Sequence, residues 1–244
     1  LIHVAENGLG VYESSGTRWI CTADGTVQSA MSLGNPTAVL LPNHQAMLLA
    51  ALLPPRLHAV LDMGLGGGTL TRQLTAHWPR ARRVALEHDP HMLALAREYF
   101  ALPTTQPVLV EDAIDFLKRN KDRFNLLFVD LFDGSRSPPA LRSQKFYGQL
   151  LGTLEAGGAV ALNSLPSCER EMREILQAAR QVFNGIGIMQ FSELRNVVLI
   201  LQEEPLPKAQ ELQRLLDASV YANSATLYAN ADSMLRLERA PNIG

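Results

Sequence analysis

Glycines and carboxylates that could build a binding site follow successive apolar segments of this sequence. The first such segment, 57–63, runs into a glycine-rich stretch with Gly64, Gly66, Gly67 and Gly68. Glycines let the backbone approach a ligand closely, and at the start of a helix they leave amide groups that face it. The alternative is an ordinary tight turn between a strand and a helix. The density of glycines favours a binding loop.

Two further segments end at carboxylates. Glu87 follows the second apolar segment, about 20 residues beyond the first glycine, where a carboxylate can accept both hydroxyls of a ribose. Asp112 follows the third, where it can accept a hydrogen bond from an adenine amino group or cap the next helix. Glu87 could also be a surface residue that caps a helix. Their order after the glycines favours a nucleoside site.

The fourth apolar segment is followed by Asp130 and Asp133. Carboxylates three positions apart in a loop can face one pocket, where one could accept a proton while the other holds a cation. The alternative is a pair of turn-forming aspartates. The pattern argues against a nicotinamide dinucleotide, because Thr69 takes the last small position of Gly-x-Gly-x-x-Gly/Ala and that site requires neither Asp112 nor Asp130.

These residues need a scaffold that brings the ends of strands together. From residue 57, short apolar segments alternate with helical ones, which predicts a parallel sheet covered on both faces. Only four residues separate the strand-like segments 186–191 and 196–201, too few for a crossover, so this pair must be antiparallel. The sequence thus predicts an α/β fold with a class I methyltransferase-type, Rossmann-like sheet that is mostly parallel and ends in an antiparallel hairpin. Ligands of such sheets lie at the carboxyl ends of the strands.

The N-terminal residues 1–35 form a separate unit in this prediction. Short β-type segments at 8–12, 17–22 and 26–29 are joined by turn signals, which predicts a small β-meander. The α/β domain follows over 36–244. It begins with a helical segment, 41–53, and its tail contains one amphipathic helix, 209–216.

Composition narrows the classes of partner. The 244 residues carry 22 Lys and Arg against 24 Asp and Glu, a balance that excludes a general polyanion binder, so we expect no nucleic-acid partner. No apolar run reaches the roughly 18 residues of a membrane span, and no secretory signal pattern is present. We therefore expect a cytoplasmic protein without a membrane partner. Cys21 and Cys168, far apart, exclude a disulfide scaffold and a cysteine-rich zinc site, and we expect no metal.

Several segments resemble the spermidine synthase (polyamine aminopropyltransferase) family, most closely its divergent, spermidine synthase-like branch. The segment 24–28 matches the family's Asp-Gly-x-x-Gln hairpin, and the segment 44–47 resembles its Tyr-x-Glu-Met helix start. The likeness spans about residues 8–164 and is carried in the α/β domain by the segments 60–70, 85–90, 110–113, 128–134 and 146–147. The resemblance also implies a homodimer or higher homo-oligomer.

The resemblance implies decarboxylated S-adenosylmethionine as the donor of an aminopropyl group. Carried over by position, Glu87 would hold the ribose, and Asp112 with its neighbour Ala113 would hold the adenine beside the glycine loop. Gln28 and Gln45 would flank the sulfonium chain of the donor.

The resemblance implies a small-molecule amine, a diamine such as putrescine, as the acceptor. Asp130 would be the base, and Asp133 would help to seat the amine. The chemistry agrees with these roles. A sulfonium centre is a good leaving group, but an amine that is protonated at neutral pH cannot attack it. A carboxylate attracts the ammonium and accepts its proton as the new bond forms.

This sequence departs from the family at two places. The family's loop carries an aspartate that faces the terminal ammonium of the donor, whereas the loop after Gly64 has no acidic residue. The family's acceptor-site Tyr and Glu are replaced by His44 and Ala46. His44 is then either a ligand contact or, as the simpler interpretation, a solvated residue at a helix start.

Three functions follow from these residues. The first is an aminopropyl transferase. The second is an S-adenosylmethionine-dependent methyltransferase on the same fold, which the missing loop acid and Asp62 at the start of the glycine motif favour. The third is a non-catalytic nucleoside-binding homologue, against which Asp130 and Asp133 argue.

Overall fold

The structure is a computed structural model that describes residues 1–132 and 136–237. The N-terminal residues form an antiparallel sheet in the order β1-β2-β3-β4, as the predicted β-meander requires. Its strands are β1 (His3–Val4), β2 (Gly10–Ser14), β3 (Thr17–Cys21) and β4 (Val27–Ser32). The sequence did not indicate β1, because two residues are too few to show an alternating pattern.

A larger sheet forms the centre of the molecule. Its strands are β5 (Ala59–Met63), β6 (Arg82–Glu87), β7 (Val108–Val110), β8 (Phe124–Val129), β9 (Leu154–Ser164), β10 (Gly185–Gln190), β11 (Val197–Gln202) and β12 (Leu235–Leu237). They lie in the order β12-β10-β11-β9-β8-β5-β6-β7. Strands β5 to β9 are parallel, whereas β10 to β12 pair antiparallel. The predicted methyltransferase-type fold is confirmed.

Helices cover both faces of this sheet. They are α1 (Pro42–Met47), α2 (Thr69–His77), α3 (Pro90–Tyr99), α4 (Ala113–Arg119), α5 (Gln144–Thr153), α6 (Glu169–Arg180), α7 (Ala209–Asp217) and α8 (Ala225–Ser233). Because side chains alternate along a strand, Val60 packs with α1, α2, α7 and α8, whereas Leu61 packs with α4, α5 and α6. Within the described ranges, no helix is long and apolar enough to cross a membrane.

Two segments differ from the sequence-based expectation. The predicted helix 41–53 is α1 followed by a 3₁₀ turn over Leu48–Leu52. In the tail, α7 is confirmed, but α8 and β12 were missed. The few large apolar side chains of α8 show no helical periodicity, so the sequence gives no signal for this helix. Strand β12 has only three residues and lies at the edge of the sheet.

The small sheet is docked onto the glycine loop and onto α3. Val11, Ile20 and Met31 of the small sheet share a buried cluster with residues of α3. Gly67 lies so close to Ser29 of β4 that a Cβ atom at position 67 would collide with the serine side chain. The buried Arg72 of α2 completes this contact.

The guanidinium of Arg72 binds three backbone carbonyls. It donates to Pro36 O at 2.9 Å, to Phe100 O at 2.7 Å and to Gly67 O. Arg72 is only 4% exposed, and burial lowers the pKa of its guanidinium to about 10. One side chain thus ties the linker after β4, the glycine loop and the end of α3 together.

Gly67→Ala should therefore destabilise the protein, since overpacking of a close contact typically costs about 1–3 kcal/mol. Adding Ser29→Gly should recover part of this loss, because it removes the two nearest atoms that a Cβ at position 67 would meet and leaves only Phe100 Cδ1, at 3.3 Å. Gly148→Ala in α5 is the matched control: its Cβ meets nothing within 4 Å, so it should stabilise by about 0.5–1 kcal/mol. Urea unfolding of the four proteins measures each effect. Equal stability of Gly67→Ala and wild type would contradict the contact.

Candidate active site

A cavity of about 720 Å³ lies between the carboxyl ends of the parallel strands and the small sheet. This volume is typical of small-molecule sites. The ends of β5, β6 and β8 contribute Gly64, Glu87 and Asp130, the segment after β7 contributes Asp112, and β4 contributes Gln28. The fold thus brings the carboxylates that the sequence singled out around one space.

The Glu87 carboxylate is fixed at the wall of this cavity. It is 5% exposed, and its two oxygens accept hydrogen bonds from Gly66 N and Asp89 N, each at 3.0 Å. His88 Nδ1 lies 3.3 Å from Oε1, and this hydrogen bond raises the pKa of His88. Each carboxylate oxygen offers more than one lone pair, so Glu87 retains capacity to accept hydroxyl groups of a ligand.

Asp112 caps a helix and also lies on the wall of the cavity. Its Oδ1 accepts from Ile114 N at 2.7 Å and Asp115 N at 3.0 Å, so it caps α4. Asp112 and Ala113 also line the cavity. The cap uses Oδ1, which leaves Oδ2 for a ligand amino group.

The predicted donor-site residues do not all face the cavity. Of the described residues, the wall includes Gly64, Gly66 and Gln28 but not Gly67, Gly68 or Gln45. Gly68 adopts a left-handed conformation, with φ of 74°, where α2 begins. Gln45 donates its Nε2 to Val39 O at 2.7 Å, so its amide holds the preceding loop. Asp133 lies outside the described residues.

Asp130 lies at the other side of the cavity, in a network of polar side chains. His44 Nε2 is 2.8 Å from Asp130 Oδ2, and Asn163 Nδ2 donates to Asp130 Oδ1 at 2.7 Å. Asn196 Nδ2 in turn donates to Asn163 Oδ1 at 3.0 Å. The lack of a side chain at Gly64 allows Asp130 to take this position, because a Cβ at position 64 would collide with the backbone carbonyl of Asp130.

Sequence reasoning missed Asn163 and Asn196 of this network, and its simpler interpretation of His44 was wrong. His44 is not solvated at a helix start but 6% exposed, because α1 packs against β9 and β11. Its place at the position of the family's acceptor-site Tyr was the available signal. Asn163 lies at the end of β9, so the rule that ligands lie at strand ends could have found it. Asn196 precedes β11 in a short loop, and no pattern in the sequence indicates it.

Asp62 lies behind the cavity rather than on its wall. It is 3% exposed, and its Oδ2 accepts from Thr71 Oγ1 at 2.7 Å, whereas its Oδ1 is buried without a partner among the described residues. Burial raises the pKa of Asp62 to about 7. The Thr71 hydrogen bond opposes this shift, and the nearby Asp130 carboxylate adds to it.

The raised pKa of Asp62 predicts a pH-dependent stability. The folded state binds this proton more tightly than the unfolded state, so stability should fall as pH rises from about 4 to about 7 and then level off. The slope is at most about 1.4 kcal/mol per pH unit. Asp62→Asn should lack this contribution. Urea unfolding of both proteins between pH 5 and pH 8 measures the difference, and parallel stability curves would contradict an ionisable buried Asp62.

Comparison with known proteins identifies relatives of two kinds. Residues 60–158 match a family model described as a methyltransferase domain. A polyamine aminopropyltransferase of Neisseria meningitidis serogroup A is 26% identical over 211 residues, which cover 85% of this chain and 80% of that protein. The predicted resemblance to the spermidine synthase family is confirmed. An eEF1A lysine and N-terminal methyltransferase homolog of Drosophila melanogaster is 29% identical over 163 residues, which cover 62% of this chain and 24% of that protein.

The fold comparison agrees with these relatives. The structure of a probable spermidine synthase from Corynebacterium glutamicum ATCC 13032 superposes with a TM-score of 0.75 at 18% identity, and it covers 95% of this chain and 87% of its own. The relatives found by sequence and the matched domain model are transferases, which confirms the predicted enzyme class. Among the described residues, no group of three or more His, Cys, Asp or Glu side chains is arranged to hold a metal ion.

Proposed function

We propose that this protein transfers an aminopropyl group from decarboxylated S-adenosylmethionine to a small amine. The observation that carries the proposal is the shared cavity, with Glu87 and Asp112 on one side and the Asp130 network on the other. The names of the aminopropyltransferase relatives support the same reaction. The homo-oligomer that the resemblance implies and the expected cytoplasmic location belong to this proposal.

On the donor side, Glu87 accepts the ribose hydroxyls, and Asp112 accepts from the adenine amino group. Both carboxylates are already oriented by backbone amides, so little side-chain freedom is lost on binding. Gln28 lines the cavity from the small sheet and lies along the donor chain.

On the acceptor side, the Asp130 carboxylate attracts the ammonium form of the amine and takes up its proton. The neutral nitrogen then attacks the carbon next to the sulfonium. The new N–C bond forms as the C–S bond breaks, and the electron pair leaves with sulfur as methylthioadenosine. The product forms as a secondary ammonium, and the proton that Asp130 took up passes to solvent. This restores a carboxylate beside the positive charge in a partly enclosed site, where electrostatic stabilisation is strong.

Methyl transfer from S-adenosylmethionine is a second candidate, and one observation favours it. The glycine loop carries no acid to attract the donor's terminal ammonium, and Ser29 of β4 fills the space where a side chain at Gly67 would lie. The loop leads into α2, and amides at a helix start favour an anion such as the carboxylate of S-adenosylmethionine. The buried guanidinium of Arg72, which lies beside the loop, also favours an anion there.

We predict that the protein does not strongly discriminate against S-adenosylmethionine. Calorimetric titration with both donors should give affinities within about tenfold of each other. Glu87→Ala is the control, and it should weaken both donors equally because they share the ribose. A preference above ~100-fold for the decarboxylated donor, about 2.7 kcal/mol, would contradict the prediction and leave aminopropyl transfer as the better supported reaction. With putrescine as the acceptor, the product then separates the candidates, because aminopropyl transfer releases methylthioadenosine and methyl transfer releases S-adenosylhomocysteine.

Asp130→Asn should lower turnover by roughly 10²–10⁴-fold, because it keeps the shape of the side chain but removes the proton acceptor. Binding of methylthioadenosine should be unchanged, since the nucleoside is held by the opposite wall. Steady-state rates and calorimetry measure the two effects separately. Near-normal turnover of this variant would show that Asp130 is not the base.

A further inference from the structure

We propose that His44 is a positioning residue that donates its Nε2 proton to Asp130 and holds this carboxylate in its reactive orientation. The inference rests on the proposed role of Asp130 as the group that meets the acceptor amine. It assigns a function to a buried side chain that the sequence left undecided.

The geometry around Asp130 leaves its carboxylate little freedom. His44 Nε2 engages Oδ2 at 2.8 Å, and Asn163 Nδ2 engages Oδ1 at 2.7 Å, so each oxygen has one donor. The two donors come from different elements, α1 and β9, on either side of the carboxylate. Asn196 holds Asn163 in turn, and Asn163 is 1% exposed. Rotation of the Asp130 side chain would break both hydrogen bonds.

The surroundings of His44 Nδ1 indicate which residue is the donor in the hydrogen bond between His44 and Asp130. His44 Nδ1 is buried and has no hydrogen-bond partner among the described residues. In the tautomer with its proton on Nδ1, that N–H would be a buried donor without an acceptor. The lone pair of Nε2 would then face the negatively charged Asp130 carboxylate. The tautomer with its proton on Nε2 leaves only an acceptor unpaired and forms a charge-assisted hydrogen bond. This tautomer is therefore the stable one.

This tautomer separates the roles of the two residues. His44 cannot take up a proton from the acceptor, because Nε2 already carries one and Nδ1 is enclosed by protein. Asp130 still has unused lone pairs on both oxygens, and it lines the cavity. The proton of the amine thus goes to Asp130, while His44, which also lines the cavity, acts through its hydrogen bond to Asp130.

Nuclear magnetic resonance tests the hydrogen bond independently of the reaction. Long-range ¹H–¹⁵N correlation of the imidazole rings at pH 7.5 should show His44 as the Nε2–H tautomer, with a downfield proton that is absent in His44→Gln. Asp130→Asn should move this proton upfield. An Nδ1–H tautomer or a doubly protonated ring in wild type would overturn the proposal, whichever donor the enzyme uses.

Kinetics test the positioning role. His44→Ala should lower kcat by about 10- to 100-fold, as expected for a lost hydrogen bond to a charged group, with methylthioadenosine affinity unchanged. His44→Gln should stay within about fivefold of wild type, because its amide nitrogen can replace the Nε2 donor. In the Asp130→Asn background, His44→Ala should cause little further loss, since the two residues act together.

Equal loss in His44→Gln and His44→Ala would overturn the positioning role, as would additive losses in the double variant. Thermal unfolding of each variant checks that the fold is kept. If wild type turned over neither donor with putrescine, the proposed reaction would fail, and the resonance experiment would still decide the His44–Asp130 contact.

Discussion

The close approach of Gly64 to the backbone carbonyl of Asp130 sets the geometry of the whole site. These residues follow β5 and β8, the neighbouring strands from which the chain builds the sheet in opposite directions. A side chain at position 64 would push the two strand ends apart. Because they stay close, the cavity begins directly between the wall with Glu87 and Asp112 and the wall with Asp130. In the proposed reaction, the distance that the transferred group must cross depends on this contact.

The small sheet completes the site by covering the open side of the strand ends. Two kinds of contact attach it to the rest of the molecule. Apolar side chains of the small sheet pack against α3, and Arg72 donates hydrogen bonds to backbone carbonyls of the linker after β4 and of Phe100. Arg72 has no hydrogen bond or ion pair to a carboxylate among the described residues; its charge is distributed over backbone dipoles. This buried cation thus lies beside the glycine loop, whereas carboxylates lie on the cavity wall.

The parts of the fold that follow from short-range patterns could be predicted from the sequence. The alternating strands and helices and the terminal hairpin were predicted because apolar periodicity and a four-residue connection leave few topologies. The gathering of Glu87, Asp112 and Asp130 around one cavity followed from the rule for strand ends. The orientation of Gln45 could not be predicted, because a helix start presents side chains to either the ligand or the preceding loop. The burial of His44 depends on how α1 packs against distant strands, which no local pattern contains.

The contact between Ser29 and Gly67 makes two distant positions of the chain interdependent. An acidic residue could enter the glycine loop at position 67 only after the side chain at position 29 had become smaller, because the reverse order passes through a strained protein. Mutational routes to an acidic residue at position 67 are therefore ordered. The first step would lie in the N-terminal sheet, outside the segment that carries the methyltransferase-domain match. Such a route would begin with a substitution that changes no charge in the cavity.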